Sequence, residues 1–205
     1  MSDLAEFTDG LADGLAEVLA GPVLEVAPRL LGSVLTLNGV SIRLTEVEAY
    51  AGPDDPGSHA HRGQTARNAT MFGPPGHLYC YLIYGLHTCA NVVCGPTGTA
   101  SAVLLRAGEA VQGKDLARDR RGPVPDVRLA RGPANLAQAL GLSIADDGLD
   151  LRGRLRLAAE PHRSDRLRRG PRVGLSRASQ RPWRLWLADE PSVSDYRAAK
   201  RTPAS

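Results

Sequence analysis

The apolar residues of the first twenty positions follow the spacing of an α-helix. They are Leu4, Phe7, Leu11, Leu15, Val18 and Leu19. This spacing predicts one amphipathic helix over residues 3–20, which Gly21 and Pro22 are expected to end. A second, short helix is predicted over 24–31, with Pro28 interrupting its pattern.

Beyond residue 32 the pattern changes from helical spacing to alternation. Residues 33–37 and 40–50 are predicted to be strands, joined by Asn38-Gly39, the dipeptide most typical of a two-residue hairpin turn. Strict alternation along the second strand would place six side chains on one face. They are Val40, Ile42, Leu44, Glu46, Glu48 and Tyr50.

The rest of the chain predicts five further strands, at 77–84, 89–94, 100–107, 149–157 and 183–188. Residues 51–76 are rich in glycine and proline and predict a long loop, which in a compact domain is usually functional. A short helix is expected over 133–141, with proline at its start and glycine at its end. Residues 112–130 are charged and broken by proline, so we expect a flexible excursion there.

These elements lack the regular strand–helix alternation of a parallel sheet. The length of 205 residues suits one substantial domain. We therefore expect a single α+β domain over residues 1–205, with a mixed, largely antiparallel, split-barrel-like β-rich core surrounded by helices. Residues 196–205 are expected to be a disordered tail.

The net charge of +3 conceals a strong polarity along the chain. Residues 1–60 hold ten acidic side chains against two arginines, whereas residues 152–184 hold eleven arginines against two acidic residues. The basic segment favours a polyanionic partner, and Arg163–Arg184 is expected either to contact phosphates or to fold beside the site, with no single arginine assigned to either role. The alternative is a solvated arginine-rich surface, since the chain has only two lysines.

The beginning of the chain is acidic and has no apolar core of a secretory signal. No apolar run approaches the roughly 20 residues that span a bilayer. Three cysteines are an odd number, which fits a reducing compartment better than a disulfide framework. We expect a soluble, cytoplasmic monomer, associated with the nucleoid if the source is bacterial.

Tyrosine and histidine are concentrated in one window of the chain. Four of the five tyrosines lie between residues 50 and 84, and four of the five histidines lie between residues 59 and 87. Because aromatic residues make up only 4% of the chain, this concentration favours a binding site. The alternative is a core built from the few aromatic residues available. Tyrosine hydroxyls need partners when they are buried, which favours the site.

Two carboxylates lie at the mouth of this window. Glu48 is two residues from Tyr50, at the end of a predicted strand and the start of the Gly/Pro-rich loop. Glu46 is the rival candidate, and both could instead be ordinary strand carboxylates paired with Arg43 or Arg106. At the far end of the window, Tyr84 precedes a glycine on a predicted turn.

Several ordered motifs extend this window in both directions. They read TEVEAYAGPDDPGSH at 45–59, QTARN at 64–68, MFGPPGHLYCYLIYG at 71–85, CAN at 89–91, AVLLRA at 102–107 and GPANLAQAL at 132–140. Together they resemble the alkyladenine (3-methyladenine) DNA glycosylase family, monofunctional purine DNA glycosylases, over residues 29–188. The resemblance implies a base-excision repair enzyme that flips alkylated or deaminated purines out of duplex DNA.

For catalysis, the resemblance implies that Glu48 is the general base that activates the attacking water and that Arg106 helps to position that water. Bifunctional glycosylases instead use an amine to form a Schiff base with the sugar. No lysine lies in residues 40–110. Water is therefore the expected nucleophile, and an uncut abasic site the expected product; the alternative nucleophile is the N-terminal amine.

For binding, the resemblance implies that Tyr50, His59 and Tyr81 form the walls of the base pocket. It implies that Tyr84 enters the duplex where the base has left, as wedge side chains do in DNA-bending proteins. It also implies that Asn91 crowds the 2-amino group of a purine and so disfavours guanine. The chain departs from the family pattern between His59 and Gln64, which is about one residue shorter, and at His87 and Thr88.

No metal and no cofactor are expected. His59 and His61 form a His-x-His pair, but no Cys-x-x-Cys or His-x3-His spacing accompanies it. No glycine-rich phosphate-binding motif of the P-loop or dinucleotide type occurs. The expected partner is double-stranded DNA with damaged purines. Two alternatives remain open: a non-catalytic nucleic-acid-binding module that stacks a flipped base, and a hydrolase of small nucleosides.

Overall fold

The computed structural model describes residues 14–158 and 165–199. Residues 14–19 are helical (α1), and the second predicted helix is present as α2, Val23–Leu30. Pro28 lies inside α2, and the buried residues of this helix include Val26 and Leu30. The beginning of the first predicted helix and the end of the predicted tail lie outside the described residues.

Nine strands and four short 3-10 segments accompany the helices in the described residues. The strands are β1 (Val34–Leu37), β2 (Val40–Ala51), β3 (Leu78–Ile83), β4 (His87–Cys94), β5 (Ser101–Gln112), β6 (Ala130–Arg131), β7 (Leu155–Arg156), β8 (Leu167–Gly170) and β9 (Arg184–Leu187). The remaining α-helices are α3 (Lys114–Arg121) and α4 (Pro133–Ala139). The 3-10 segments are Gly52–Asp54, Ala66–Phe72, Asp126–Arg128 and Ile144–Asp146.

All nine strands belong to one sheet. Its main path runs β3-β4-β5-β2-β1-β7, with β6 paired to β5 and the β8–β9 pair joined to β2 through β9. Every strand pair in the described part of the chain is antiparallel. The α+β prediction is confirmed; the sheet is antiparallel rather than mixed, and it stays open rather than closing into a barrel.

The predicted β1–β2 hairpin is confirmed at the predicted turn. Leu37 pairs with Val40, so Asn38 and Gly39 are the only turn residues. Both have positive φ, 48° and 78°, which a type I′ turn requires. Asparagine and glycine tolerate that conformation better than other residues, so two positions determine this connection locally.

The predicted alternation along β2 is wrong in its middle. The side chains that β2 contributes to the main core are Val40, Ile42, Leu44, Val47 and Ala49, so the core phase shifts by one residue after Leu44. The β2–β5 register is irregular at the same place, between Leu44 and Val47. A β-bulge inserts an extra residue and so reverses the facing of everything beyond it. Glu46, Glu48 and Tyr50 therefore leave the face that Leu44 occupies.

The flexible excursion expected at 112–130 is also corrected. The segment contains α3 and the Asp126–Arg128 turn, and it buries Ala117 and Leu129. Its many charges hide this narrow apolar contact, because they are paired on the surface, as in the Arg118–Asp126 ion pair at 2.7 Å. The predicted helix at 133–141 is confirmed as α4. No helix in the described residues is long and apolar enough to cross a bilayer.

The strand predictions differ from the structure mainly at their ends. Strand β4 begins at His87, two residues earlier than predicted, and β5 continues to Gln112, five residues later. The strand predicted at 149–157 shrinks to β7, whereas the one at 183–188 matches β9. Strand β8 was missed because three of its four residues are arginine or glycine, which are poor strand signals.

The two faces of the central strands have different tasks. One face packs with the helices into the main core, which includes Leu78, Val92, Val103 and Leu105. The other face carries a small cluster of Ala60, Met71, Tyr79, Val93, Ala100 and Ala102. Glu48, Tyr50 and Asn91 lie on this second face.

Candidate active site

One transverse row of the sheet brings the candidate residues together. Glu48 on β2 pairs with Leu104 on β5, which pairs with Asn91 on β4, which in turn pairs with Tyr79 on β3. Directly opposed residues in an antiparallel sheet point to the same face. Residues up to 56 positions apart in sequence, Glu48 and Leu104, thereby lie in one row, with β9 completing the row on the other side of Glu48.

The carboxylate of Glu48 is fully buried and held from three sides. Its Oε2 accepts a hydrogen bond from the hydroxyl of Tyr50 at 2.8 Å. Its Oε1 accepts one from the backbone N–H of Val173 at 2.8 Å and lies 3.4 Å from Nη1 of Arg106. These contacts fix the orientation of the carboxylate.

Arg106 bridges both carboxylates of β2 because of the bulge. It lies where the β2–β5 register skips, between Leu105 and Ala107, and has no opposed partner there. Its Nε donates to Oε1 of Glu46 at 2.8 Å while its Nη1 faces Glu48. The guanidinium is therefore oriented by one carboxylate and presented to the other.

Glu46 is a structural anchor rather than a free carboxylate. Its Oε1 accepts hydrogen bonds from Nε of Arg106, from Nε of Arg184 at 2.6 Å and from the hydroxyl of Ser194 at 3.0 Å. Its Oε2 accepts one from the backbone N–H of Ser194 at 2.7 Å. Both oxygens are thus occupied by protein donors, and no described contact leaves Glu46 facing a substrate.

Burial and partners move the two carboxyl groups in opposite directions. Burial raises the pKa of Glu48 above its usual 4.5, and Arg106, the Val173 N–H and Tyr50 offset it only in part. Burial also acts on Glu46, but Arg106 and Arg184 hold the pKa of that carboxyl below 4.5. A carboxylate with a raised pKa in a site is a typical candidate for proton transfer.

His59, Tyr79 and Tyr81 form an aromatic wall beside Glu48. The rings of His59 and Tyr81 meet edge to face, with centroids 4.6 Å apart, and Tyr81 stacks on Tyr79 at 5.7 Å. Nδ1 of His59 and the hydroxyl of Tyr79 share a hydrogen bond of 3.1 Å. The structure thus brings the predicted pocket residues His59 and Tyr81 together and adds Tyr79, which the sequence analysis saw only as part of the aromatic window.

The protonation of this wall follows from its burial. Burial and the nearby Arg67 lower the pKa of His59 below 6.5, and burial raises the pKa of Tyr79 to about 12. At neutral pH Tyr79 therefore keeps its proton and His59 is uncharged, so the hydrogen bond between them joins two neutral side chains.

Asn91 is held close to this wall by its own hydrogen bond. Its side-chain amide donates to the backbone carbonyl of Tyr79 at 3.0 Å, and the residue is buried. Because one end of the amide is engaged, the side chain cannot rotate freely.

Tyr84 stands apart from the buried site. It lies at the tip of the β3–β4 hairpin, has a positive φ of 54° and exposes 87% of its surface. Leu86 in the same turn exposes 78%. Exposing large side chains with apolar surface to water is unfavourable, so their position on this turn is typical of a surface that contacts a partner.

Two arginines of the arginine-rich segment fold beside the site, which is one of the two expectations for this segment. Arg172 and Arg184 are buried and pair with Asp55 and Glu46 respectively, so they do not face a phosphate backbone. Arg163 lies outside the described residues. Sequence reasoning also missed Asp55 and Val173, whose contacts with Arg172 and Glu48 bridge 117 and 125 residues of sequence and leave no local signal.

Among the described residues, no group of three histidine, cysteine or acidic side chains is arranged to hold a metal ion. The ring of His61 lies away from His59, with its Nδ1 at 2.7 Å from the carbonyl oxygen of Pro53.

Comparison with known proteins identifies the family of this chain. The model of a family described as methylpurine-DNA glycosylase matches residues 17–191, which include every site residue predicted from the sequence. The chain belongs to the methylpurine-DNA glycosylase family. This confirms the family resemblance and makes the chain a member of a family of DNA repair hydrolases.

Bacterial members of the methylpurine-DNA glycosylase family match nearly the whole chain. A Streptomyces avermitilis protein is 54% identical over 193 residues, 89% of this chain and 91% of its own length. A Mycobacterium tuberculosis protein is 52% identical over 200 residues (92% and 97%), and one from Corynebacterium efficiens is 50% identical over 177 residues (86% and 93%). All three bear the name "Putative 3-methyladenine DNA glycosylase".

Proposed function

We propose that this chain, acting as a monomer without metal or cofactor, excises methylated or deaminated purines from duplex DNA. It hydrolyses the bond between the base and the sugar and leaves an abasic site. The family match and the 3-methyladenine named in its bacterial relatives support this substrate class. The absence of lysine from residues 40–110 supports a water nucleophile over a Schiff base.

The observation that carries the proposal is the enclosed, three-point-held carboxylate of Glu48. As the glycosidic bond breaks, positive charge develops on the sugar, and a nearby carboxylate stabilises it. Glu48 also accepts a proton from water as the water oxygen bonds to the anomeric carbon. The purine leaves with the electron pair of the broken bond. Arg106, oriented by Glu46, helps to position that water.

The aromatic wall supplies selection for damaged bases. Extruding a base costs a few kcal/mol, and less when the base is damaged. Stacking on Tyr50, His59 and Tyr81 returns about 1–3 kcal/mol per base, and a cationic methylated purine gains roughly 0.5–2 kcal/mol more over a tyrosine ring. The energies are comparable, so a damaged base enters the pocket and a normal one largely stays stacked.

Two residues refine this selection. Asn91, fixed by its hydrogen bond to the Tyr79 carbonyl, crowds the 2-amino group of guanine and disfavours it. Tyr84, exposed at the hairpin tip, fills the gap in the duplex while the base is extruded.

The test is release of free base from methylated duplex DNA at moderate salt with EDTA present, followed by strand analysis with and without hot alkali. We expect free base in the presence of EDTA and strand breaks only after alkali. Breaks without alkali would contradict the monofunctional assignment. Tight binding of the DNA without any base release would favour the non-catalytic binding module, and turnover of free nucleosides would favour a nucleoside hydrolase.

A further inference from the structure

Arg172 is the most deeply buried cation in the described part of the chain, with 1% of its surface exposed. Both terminal nitrogens of its guanidinium donate to the carboxylate of Asp55, the Nη2 bond being 2.7 Å long, and Nη1 also donates to the backbone carbonyl of Ala49 at 2.9 Å. This fork ties the segment after β8 to the end of β2 and to the loop that follows it. None of these contacts belongs to the catalytic groups themselves.

Two features of Arg172 nevertheless lead directly to Glu48. Its guanidinium carbon lies 4.6 Å from the centre of the Tyr50 ring, whose hydroxyl donates to Oε2 of Glu48. The next residue along the chain is Val173, whose N–H donates to Oε1 of the same carboxylate. One buried side chain therefore supports the donors of both oxygens of Glu48.

Resting on the proposed function, we infer that Arg172 is a positioning residue for the hydrolysis: its fork onto Asp55 sets the Val173 N–H and the Tyr50 hydroxyl against the two oxygens of Glu48. Arg172 does not touch the reacting atoms. It acts through the amide that follows it and through the ring that it supports.

The surroundings of Arg172 are built for this one geometry. A Cβ added at Gly57 would come within 2.7 Å of its Nη2, so the loop after β2 can approach this closely only as glycine. Its Nε is buried without a hydrogen-bond partner, which is unfavourable for stability. This unpaired donor favours a role of Arg172 in orienting its neighbours over a role in stabilising the fold. Lysine has no planar fork and cannot reproduce it.

The charge state of Glu48 reports on this geometry. The titratable groups that face Glu48 come from β2, β3, β5 and β9, and they are Glu46, Tyr50, Tyr81, Arg106 and Arg184. From the segment after β8, the described contact is the Val173 N–H, which lowers the pKa of Glu48. Withdrawal of that N–H or of the Tyr50 hydroxyl therefore raises the pKa of Glu48.

The test combines amide NMR on the 21.8 kDa chain with single-turnover excision. In the unmodified protein, the chemical shift of the Val173 amide should titrate with Glu48, and this titration should vanish in Glu48→Gln. In Arg172→Lys we expect the midpoint to move to higher pH or the titration to be lost. The single-turnover excision rate should fall by about 10–100-fold, as supporting contacts of reactive groups usually cost, and its acid limb should move to higher pH.

Two further variants guard against a loss of folding. Gly57→Ala displaces the Arg172 fork without removing its charge and should give the same changes in weaker form. Arg177→Lys, an exposed arginine of the same segment, should leave the Val173 titration and the acid limb unchanged. If Arg172→Lys and Gly57→Ala lower only the melting temperature, with the Val173 midpoint and the acid limb unaltered, Arg172 is merely structural and the inference is overturned. The amide titration is measured without substrate, so it decides this point even if the unmodified protein fails to release bases.

Discussion

Glu46 and Glu48 lie two residues apart on one strand, are both fully buried and share Arg106, yet their surroundings differ in kind. Glu46 accepts four hydrogen bonds, from Arg106, Arg184 and Ser194. Burial raises its pKa, but the two arginines outweigh this effect, and the pKa is lowered overall. Glu48 accepts two hydrogen bonds, from Tyr50 and Val173, and burial raises its pKa. The comparison teaches that burial alone does not decide the direction in which the pKa of a carboxyl group moves; the number of cationic partners does.

The largest expected effect on the difference between the two glutamates comes from Glu48→Gln. We expect excision to fall by about 10²–10⁴-fold, the usual contribution of general base catalysis, because glutamine cannot accept the proton of water. Binding of methylated DNA and the melting temperature should remain near those of the unmodified protein, since glutamine preserves the size of the side chain. The measurement is single-turnover base release together with a binding isotherm. Full activity in this variant would remove Glu48 from the mechanism.

Glu46→Gln should give the opposite profile. Removing one member of a buried ion-pair network leaves Arg106 and Arg184 with unbalanced charge, which typically costs roughly 3–5 kcal/mol. We expect a large loss of unfolding free energy, measured by urea denaturation, and an excision defect that is secondary to it and partly relieved at low temperature. A stable, inactive Glu46→Gln protein would instead make Glu46 the reactive carboxylate.

Tyr84→Ala sharpens the comparison by testing a residue far from both carboxylates. Loss of the exposed wedge should weaken base extrusion by about 10–100-fold, corresponding to roughly 1–3 kcal/mol of stacking. The defect should appear with duplex substrates and shrink with a mismatched, easily extruded lesion. The melting temperature should not change, because the side chain is 87% exposed. If Tyr84→Ala excises bases from both substrates as fast as the unmodified protein does, the wedge role is excluded.

The smallest expected effect is the difference in pH dependence of stability. The pKa of Glu46 is lowered on folding, so its stabilising contribution is present above pH 4.5 and is lost as the pH falls through its folded value. The pKa of Glu48 is raised, so its ionised form costs stability at neutral pH, and this cost fades as the pH falls through its folded value toward 4.5. Urea titrations across this range should show the Glu48 component missing in Glu48→Gln and the Glu46 component missing in Glu46→Gln. Identical curves for both variants would mean that the two groups titrate alike.

The parts of the fold that the sequence predicted well are those with local causes. The β1–β2 hairpin follows from Asn38 and Gly39, whose positive φ values few other residues accept. Helix α4 follows from its terminal proline and glycine, and the central strands follow from their apolar runs. Strand ends and the charged segment around α3 were predicted poorly, because pairing partners and a single buried face decide them.

The candidate site shows the same division. The concentration of tyrosine and histidine in residues 50–87 pointed to side chains of which the structure brings His59, Tyr79 and Tyr81 together, and the family motifs pointed to Glu48 and Arg106. The wrong facing of β2 and the unassigned roles of Arg172 and Arg184 share a different cause. A bulge depends on the register with β5, and a buried ion pair depends on a partner over one hundred residues away.

The sequence by itself determined which residue types are available to the site and where the β1–β2 turn lies. It also determined which family the chain resembles. Only the tertiary structure decided which of two neighbouring glutamates is paired with two arginines and which with one. The physical reason is that a carboxylate's pKa depends on the donors that reach it through space. Those donors, Arg184, Ser194 and the Val173 amide, come from the last third of the chain.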